Sequence, residues 1–347
     1  MNKKNACIVG YGAIGPVHAR ALEDVEQAVL YAVCDINPER RKVCQEKYNV
    51  KAYDDFDRML KDREIHSVHI CTPHYLHYEM IRKALDAGKD VVVEKPVTMT
   101  GQELDALLGL DGMERVCVVL QNRLNPCIEK LKSMIQEGEL GSIRAVKAVL
   151  TWHRDKAYYA QDGWRGRFAT EGGGVLINQA VHTLDYFSYL IGEVTAVRAV
   201  MSNFSLEDVI EVEDTCTAYV GFKNGMKGIF YATNSYSENS APFLEVVFEK
   251  GIVRYMDNQL WHQGQMLAED DPPALGKAYW GSGHARLLKR YYEEQKYFCP
   301  KDAANTMKAV FAMYESAKKG GMEIDIWHND LIQGIIRPNG YPHHGAE

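Results

Sequence analysis

Over the first 120 positions, short apolar runs rich in β-branched residues alternate with longer segments of helical period. Runs at 6–9, 29–34, 67–71, 90–93 and 115–119 read as strands, and segments 13–22, 38–48, 76–87 and 102–110 read as helices. Strands apolar on both faces and separated by helices predict a parallel sheet with crossover connections. The helix before Gly88 stops where a glycine can take the left-handed conformation of a helix end. Beyond Arg123 the pattern changes. A helix over 125–136 leads into strands at 143–151, 194–201, 215–222, 226–233, 243–248 and 252–255, with fewer helices between them. That predicts a second α+β domain with a mostly antiparallel sheet, closed by helices over 284–298 and 302–318. The division falls at 1–123 and 124–347, and the stretch 263–283, with Asp270-Asp271-Pro272-Pro273 and several glycines, reads as a long loop.

Two domains suit a chain of 347 residues, and 46% hydrophobic with 25% charged residues is ordinary for a globular enzyme. A net charge of −7 argues against the basic face that neutralises nucleic-acid phosphates. Eight cysteines form no C-x-x-C pair, and Cys7, Cys34, Cys71 and Cys117 fall in apolar runs, so buried thiols are expected in a reducing compartment. The N-terminal residues lack a signal-peptide core and no run approaches the roughly 20 apolar residues that cross a bilayer. A cytoplasmic protein with no membrane partner is expected.

Chemistry begins at Gly10-Tyr11-Gly12-Ala13-Ile14-Gly15, directly after the first strand and opening the first helix. Gly10 allows a tight turn, Gly12 lets a pyrophosphate approach the backbone of Gly12, Ala13 and Ile14, and Gly15 lets the helix pack on the strand. Asp35 ends the second strand, where a carboxylate accepts from ribose hydroxyls and repels a 2′-phosphate. This favours NAD. Arg40 and Arg41 follow closely and keep NADP open. Asp35 can equally cap the helix that starts at Pro38.

Glu94-Lys95-Pro96 follows the fourth strand, at the carboxyl edge where open α/β sheets bind ligands. An ammonium at Lys95 can donate to a substrate hydroxyl and favour an alkoxide. Further on, Glu171-Gly172-Gly173-Gly174 leads through Asn178 to His182 and Asp185. With Asn178 at a helix start, the spacing puts these three on one face, and His182 can exchange a proton.

Together, GYGAIG, Asp35, Cys71-Thr72-Pro73-His74, Glu94-Lys95-Pro96, Gln121-Asn122-Arg123 and the GGGVLINQAVHTLD run resemble the glucose–fructose oxidoreductase, inositol dehydrogenase and MocA family from about residue 5 to about 320. The resemblance implies a Rossmann doubly wound sheet, then an α/β domain with a large open sheet through which a homodimer or homotetramer forms. It implies hydride transfer between a nicotinamide and a secondary alcohol of a sugar, cyclitol or sugar derivative. By motif, Lys95 is the catalytic lysine, His182 the family's histidine, and Asn178 occupies the slot usually held by aspartate. Thr72, Pro73, His77, Glu94 and Asn122 fall where the family lines its cofactor. Because an amide cannot take a proton, His182 is expected to relay it, Lys95 to stabilise the alkoxide, and Asn178 to orient a hydroxyl.

Arg154, Tyr158, Trp164 and Arg165 crowd the segment before the glycine run beside Trp152, and Arg123 joins them as a substrate residue; aromatic faces and guanidinium donors suit a carbohydrate pocket. His284 is a secondary pocket candidate. No metal is expected, since the pairs His66/His69 and His74/His77 and the tail His343-His344 lack acidic or cysteine partners. Two rival functions are a glycoside-modifying enzyme that recycles tightly bound NAD, and a non-catalytic sensor.

Overall fold

The computed structural model describes residues 3–327; the N-terminal Met1-Asn2 and the His343-His344 pair lie outside them. The first half runs β1 (Lys4–Val9), α1 (Gly15–Glu23), β2 (Ala28–Cys34), α2 (Pro38–Tyr48), β3 (Lys51–Tyr53), α3 (Phe56–Leu60), β4 (Ser67–Ile70), α4 (His77–Asp86), β5 (Asp90–Val93), α5 (Gly101–Leu108) and β6 (Val116–Val118). The strands order as β3-β2-β1-β4-β5-β6, all parallel. The order reverses between β1 and β4, which opens a crevice at their carboxyl ends. Local chemistry fixes the helices. Asn37, not Asp35, caps α2 by accepting from the amides of Glu39 and Arg40, while Asn49 closes it at φ 52°. Thr100 caps α5 through the Glu103 amide.

The second half runs α6 (Pro126–Glu137), β7 (Ile143–Thr151), α7 (Lys156–Ala160), α8 (Phe168–Glu171), α9 (Val181–Tyr186), β8 (Val194–Ser202), β9 (Thr215–Phe222), β10 (Lys227–Thr233), β11 (Phe243–Phe248), β12 (Gly251–Met256), β13 (Gln259–His262), β14 (Gln265–Glu269), α10 (Gly283–Lys289), α11 (Pro300–Lys318) and β15 (Ile324–Asp325). Its nine-stranded sheet orders β14-β13-β12-β11-β7-β10-β9-β8-β15 and is antiparallel except where β10 meets β7. Helix α11 packs on β8 and also on α5 and β6, so one core runs beneath both sheets.

Three differences from the sequence reading have physical causes. The 263–283 stretch contains β14, an edge strand with no buried residue and therefore no alternation to read. Neighbouring β13 buries only Leu260. The helix expected over 284–298 is regular only to Lys289, then widens through Glu294 and ends at Gln295 with φ 55°. The following segment covers the free edge of β6, with the Val118 amide donating to the Phe298 carbonyl. Seven of the eight cysteines are buried free thiols. No helix among the described residues is long and apolar enough to cross a membrane.

Candidate active site

A cavity of about 800 Å³ runs from the carboxyl ends of β1, β2 and β4 to the wall formed by β7 and the loop after β14. At one end the glycine turn is closely fitted. A Cβ on Gly10, at φ +87°, would stand 2.7 Å from the Cys71 carbonyl oxygen, and one on Gly15 2.6 Å from that of Gly10. Gly12 differs: only the tip of Arg40 comes near, at 3.5 Å, so its face is open to the cavity. Helix α1 starts here with no side-chain cap, leaving its N-terminal dipole to the cavity. The Asp35 carboxylate accepts from the amides of Tyr11 (2.6 Å) and Asn37 (2.8 Å) and lines the cavity. Arg40 is paired with Asp162 at 2.7 Å, and Arg41 donates to the Asp35 carbonyl. Buried oxygens of Gln121 and Asn122, on cavity-lining residues, lack hydrogen-bond partners. An open phosphate cradle, a ribose carboxylate and unpartnered amide oxygens fit a dinucleotide.

Midway, Glu94 is buried and shares Oε1 between His18 (3.0 Å) and His284 (3.4 Å). A chain continues behind His18, whose Nδ1 lies 2.9 Å from His69 Nδ1; His69 Nε2 meets the Tyr292 hydroxyl at 2.7 Å, and that hydroxyl meets Ser67 at 2.6 Å. One set of tautomers satisfies every link. Ser67 donates to Tyr292, Tyr292 to His69, His69 to His18, and His18 to Glu94. Burial would raise the Glu94 pKa, but hydrogen bonds from His18 and His284 outweigh it and hold the carboxyl well below its usual range. These two histidines and Glu94 offer three ligand atoms within 4.8 Å of one another, the composition of a metal site. Their hydrogen bonds already account for the grouping, which no sequence spacing reveals because the residues come from α1, the end of β5 and α10.

Next to Glu94, the half-buried Lys95 donates from Nζ to the Asn178 carbonyl at 2.9 Å and approaches its Oδ1 at 3.5 Å. Asn178 Nδ2 donates to Glu171 Oε1 at 2.5 Å. Glu171 is fully buried, and desolvation pushes its pKa up to about 7 against the hydrogen bonds from Asn178 and Gly166. Desolvation also lowers the Lys95 pKa, opposed by the charges of Glu94 and Glu171. His182 Nε2 lies 3.2 Å from Gln121 Nε2, so the amide donates and the ring proton sits on Nδ1. Burial, then the Lys95 charge, take its pKa down to about 3. At the far end Arg154 lies over the rings of Trp152 and Tyr158, and Arg165 over Tyr158 and Trp164. Lys277, Tyr279 and Trp280 complete that wall from the loop after β14.

A protein-family model described as "Oxidoreductase family, NAD-binding Rossmann fold" matches residues 4–121, and the GFO/IDH/MocA C-terminal domain matches residues 128–254. The chain belongs to the GFO/IDH/MocA family. It is an oxidoreductase whose N-terminal half is an NAD-binding Rossmann domain. Among its relatives, myo-inositol 2-dehydrogenase of Thermotoga maritima is 26% identical over 84% of this chain and 86% of its own. Levoglucosan dehydrogenase of Pseudarthrobacter phenanthrenivorans is 26% identical over 73% of each chain. The WlbA dehydrogenase of Bordetella pertussis, solved with NADH and UDP-GlcNAcA, superposes with a TM-score of 0.84 at 25% identity, over 93% of this chain and 98% of that one.

The GFO/IDH/MocA motifs meet at the cavity with three corrections. Gly10, Gly12, Ala13, Ile14, Asp35, Arg40, Thr72, Pro73, Glu94, Lys95, Asn122, Arg154, Tyr158, Trp164, Arg165, Asn178 and His182 all line it. Arg123 does not. It is buried in a two-pronged ion pair with Asp185, both contacts 2.7 Å, because a guanidinium removed from water requires a carboxylate. Asp185 is engaged by Arg123 and does not reach the cavity wall, and α9 starts at Val181, after the Asn178 turn. His77 also stands outside the cavity wall, fully buried, with Nδ1 2.8 Å from the Pro96 carbonyl and Nε2 2.9 Å from that of Thr72. It shapes the cofactor loop from behind. His284 does reach the cavity. Sequence reasoning missed Glu171, Gln121 and Lys277. Position next to the glycine run was a usable signal for Glu171, whereas nothing local marks Lys277.

Proposed function

We propose that this chain oxidises a secondary alcohol of a sugar, cyclitol or sugar derivative, or reduces the matching ketone. The observation that carries this reading is the Lys95 ammonium, fixed on the Asn178 carbonyl in a cavity continuous with the dinucleotide cradle. NAD, when bound, supplies the hydride acceptor at its nicotinamide. In its neutral amine form Lys95 takes the hydroxyl proton at Nζ as the alcohol is oxidised, becoming the ammonium, and the ammonium returns that proton when the ketone is reduced. Desolvation makes the neutral amine accessible below the ordinary lysine range, which suits a general base. His182 stays neutral and gives the substrate a hydrogen-bonding ring nitrogen beside Lys95, rather than serving as a store of charge. Asn178 sets the position of Nζ. Trp152, Tyr158 and Trp164 offer apolar faces to a sugar ring. Relatives named for inositol and levoglucosan support the substrate class. Asp35, together with the engagement of Arg40 by Asp162, supports NAD over NADP.

The test is a panel of monosaccharides, cyclitols, glycosides and sugar acids with NAD and NADP in parallel, read at the nicotinamide absorbance. Lys95→Ala is expected to retain NADH binding while kcat falls by about 10²–10⁴-fold. Unchanged turnover removes Lys95 from the mechanism. Conversion of a glycoside without net nicotinamide reduction would instead favour a cofactor-recycling enzyme.

A further inference from the structure

The substrate end of the cavity carries positive charge that no carboxylate among the described residues neutralises. Arg154 is 7% exposed, yet no carboxylate lies within ion-pair distance of it among the described residues. Its Nη1 is spent on two neutral acceptors, the His153 carbonyl and Asn239 Oδ1, both at 2.6 Å, and its buried Nε has no partner. A guanidinium cannot escape this cost by losing its proton. Lys277 stands exposed at the mouth over the rings of Trp152 and Tyr279, 5.7 Å from each centroid, and has no acidic partner among the described residues. Desolvation pushes its pKa down to about 8, and the charges acting on it, Arg154, Lys95 and Arg165, are all positive. The carboxylates on the cavity wall are committed elsewhere, Asp54 being paired with Arg58 at 3.7 Å. Asp162 is shared by Arg40 and Arg165, Glu94 by two imidazoles, and Asp35 accepts from two backbone amides.

Burying an unpaired cation is costly, as at Arg154, whereas a cation beside a ligand anion, there or at the exposed Lys277, gains a charge-assisted hydrogen bond. Resting on the dehydrogenase reading above, we infer that the substrate is an anionic sugar derivative, whose carboxylate or phosphate is received by Arg154 and Lys277 while the carbon to be oxidised lies at Lys95. A neutral polyol would leave both cations without a counter-charge.

The experiment compares matched pairs on the NAD-loaded enzyme: a methyl glycoside against its uronic acid, and a free hexose against its 6-phosphate. Binding to the enzyme–NADH complex is measured alongside by titration calorimetry. Anionic members are expected to exceed their neutral partners at least tenfold in kcat/KM, and the better of the two anions identifies the group. Arg154→Gln and Lys277→Gln should each remove most of that preference through KM, with NADH affinity unchanged as evidence of folding. Should Arg154→Gln fail to fold, the mouth position Lys277 still decides. Neutral partners oxidised as well as the acids, with the preference absent in both variants and in the parent, would overturn the inference and leave the dehydrogenase standing. Acids that bind but are never oxidised would sustain the inference and reject the dehydrogenase. Failure of every anion to bind would overturn the inference whatever the turnover.

Discussion

An amide at position 178 does something a carboxylate cannot: it donates to Glu171 from Nδ2 while its carbonyl side faces the Lys95 ammonium. An aspartate there would set a second anion 2.5 Å from Glu171. The departure from the usual family residue therefore has a local reason, and the negative charge resides one residue deeper, on Glu171. Its pKa of about 7 has a definite sign for stability. The folded value lies above the ordinary one, so the contribution of Glu171 to stability is full below about pH 4.5 and is lost as pH rises through 7, a change of roughly 3 kcal/mol for this fully buried group. Glu171→Gln should accordingly resist urea better than the parent at pH 8 and about equally at pH 4.5. Its catalytic signature is separate. Ionised Glu171 favours the Lys95 ammonium, so the substitution should move the alkaline rise of the oxidation rate to lower pH. A rise that stays in place in the variant would uncouple Glu171 from Lys95.

Elements with strong periodicity were legible and weak ones were not. Strands β5, β7, β9 and β11 fall where their apolar alternation or continuous runs place them, and α2 carries its own Asn37 and Pro38 start signal. Strand β3 has three residues and none buried, so it leaves no pattern. For the site, residues joined by local motifs were legible: the glycine turn, Glu94-Lys95, and Asn178 with His182. Those that meet through the fold, such as His18 with His284 or Arg123 with Asp185, were not, because a partner 62 or more positions away leaves no spacing signal. The glycine run shows how an element is held. Glu213 accepts from the amides of Gly174 and Leu176 at 2.9 and 3.0 Å, and a Cβ on Gly174 would stand only 1.8 Å from the Glu213 carbonyl oxygen. Backbone cannot yield as a side chain does. Gly174→Ala is expected to lose about 1–3 kcal/mol in urea unfolding and to misplace Asn178, whose amide bonds the Gly174 carbonyl. Gly109→Ala, with negative φ and its nearest neighbour at 3.6 Å, is the control and should stay within about 0.5 kcal/mol of the parent.

Across the whole molecule, the nine-stranded sheet has two unlike faces. One is covered by α9 and α11, and on the other the described residues leave side chains of β8 to β12 exposed. Strand register aligns a row on the open face, Arg198, Tyr219, Ile229, Lys147, Glu245 and Arg254, running from β8 to β12. The β7 to β12 part of that row is an ion ladder, Lys147–Glu245–Arg254, suited to water. At the β8 to β10 end Arg198 is paired with Glu323, and beside it lie exposed apolar residues: Val200, two positions along β8, Tyr219 and Ile229 are 62%, 61% and 50% exposed. Antiparallel sheets tolerate one wet face when it is polar, and a contiguous apolar patch marks a contact surface. Self-association through the β8–β9–β10 end of the sheet is therefore expected, in keeping with the family resemblance. A two-fold contact would use this patch on both copies, so one substitution acts twice. Tyr219→Glu combined with Ile229→Lys should convert the dimer or tetramer to monomer in sedimentation velocity. The cavity is lined by His182 and Thr183 of α9, which packs on the covered face, so NADH affinity should be retained in that monomer. A wild-type chain already monomeric at micromolar concentration would defeat this assignment and leave the patch unexplained.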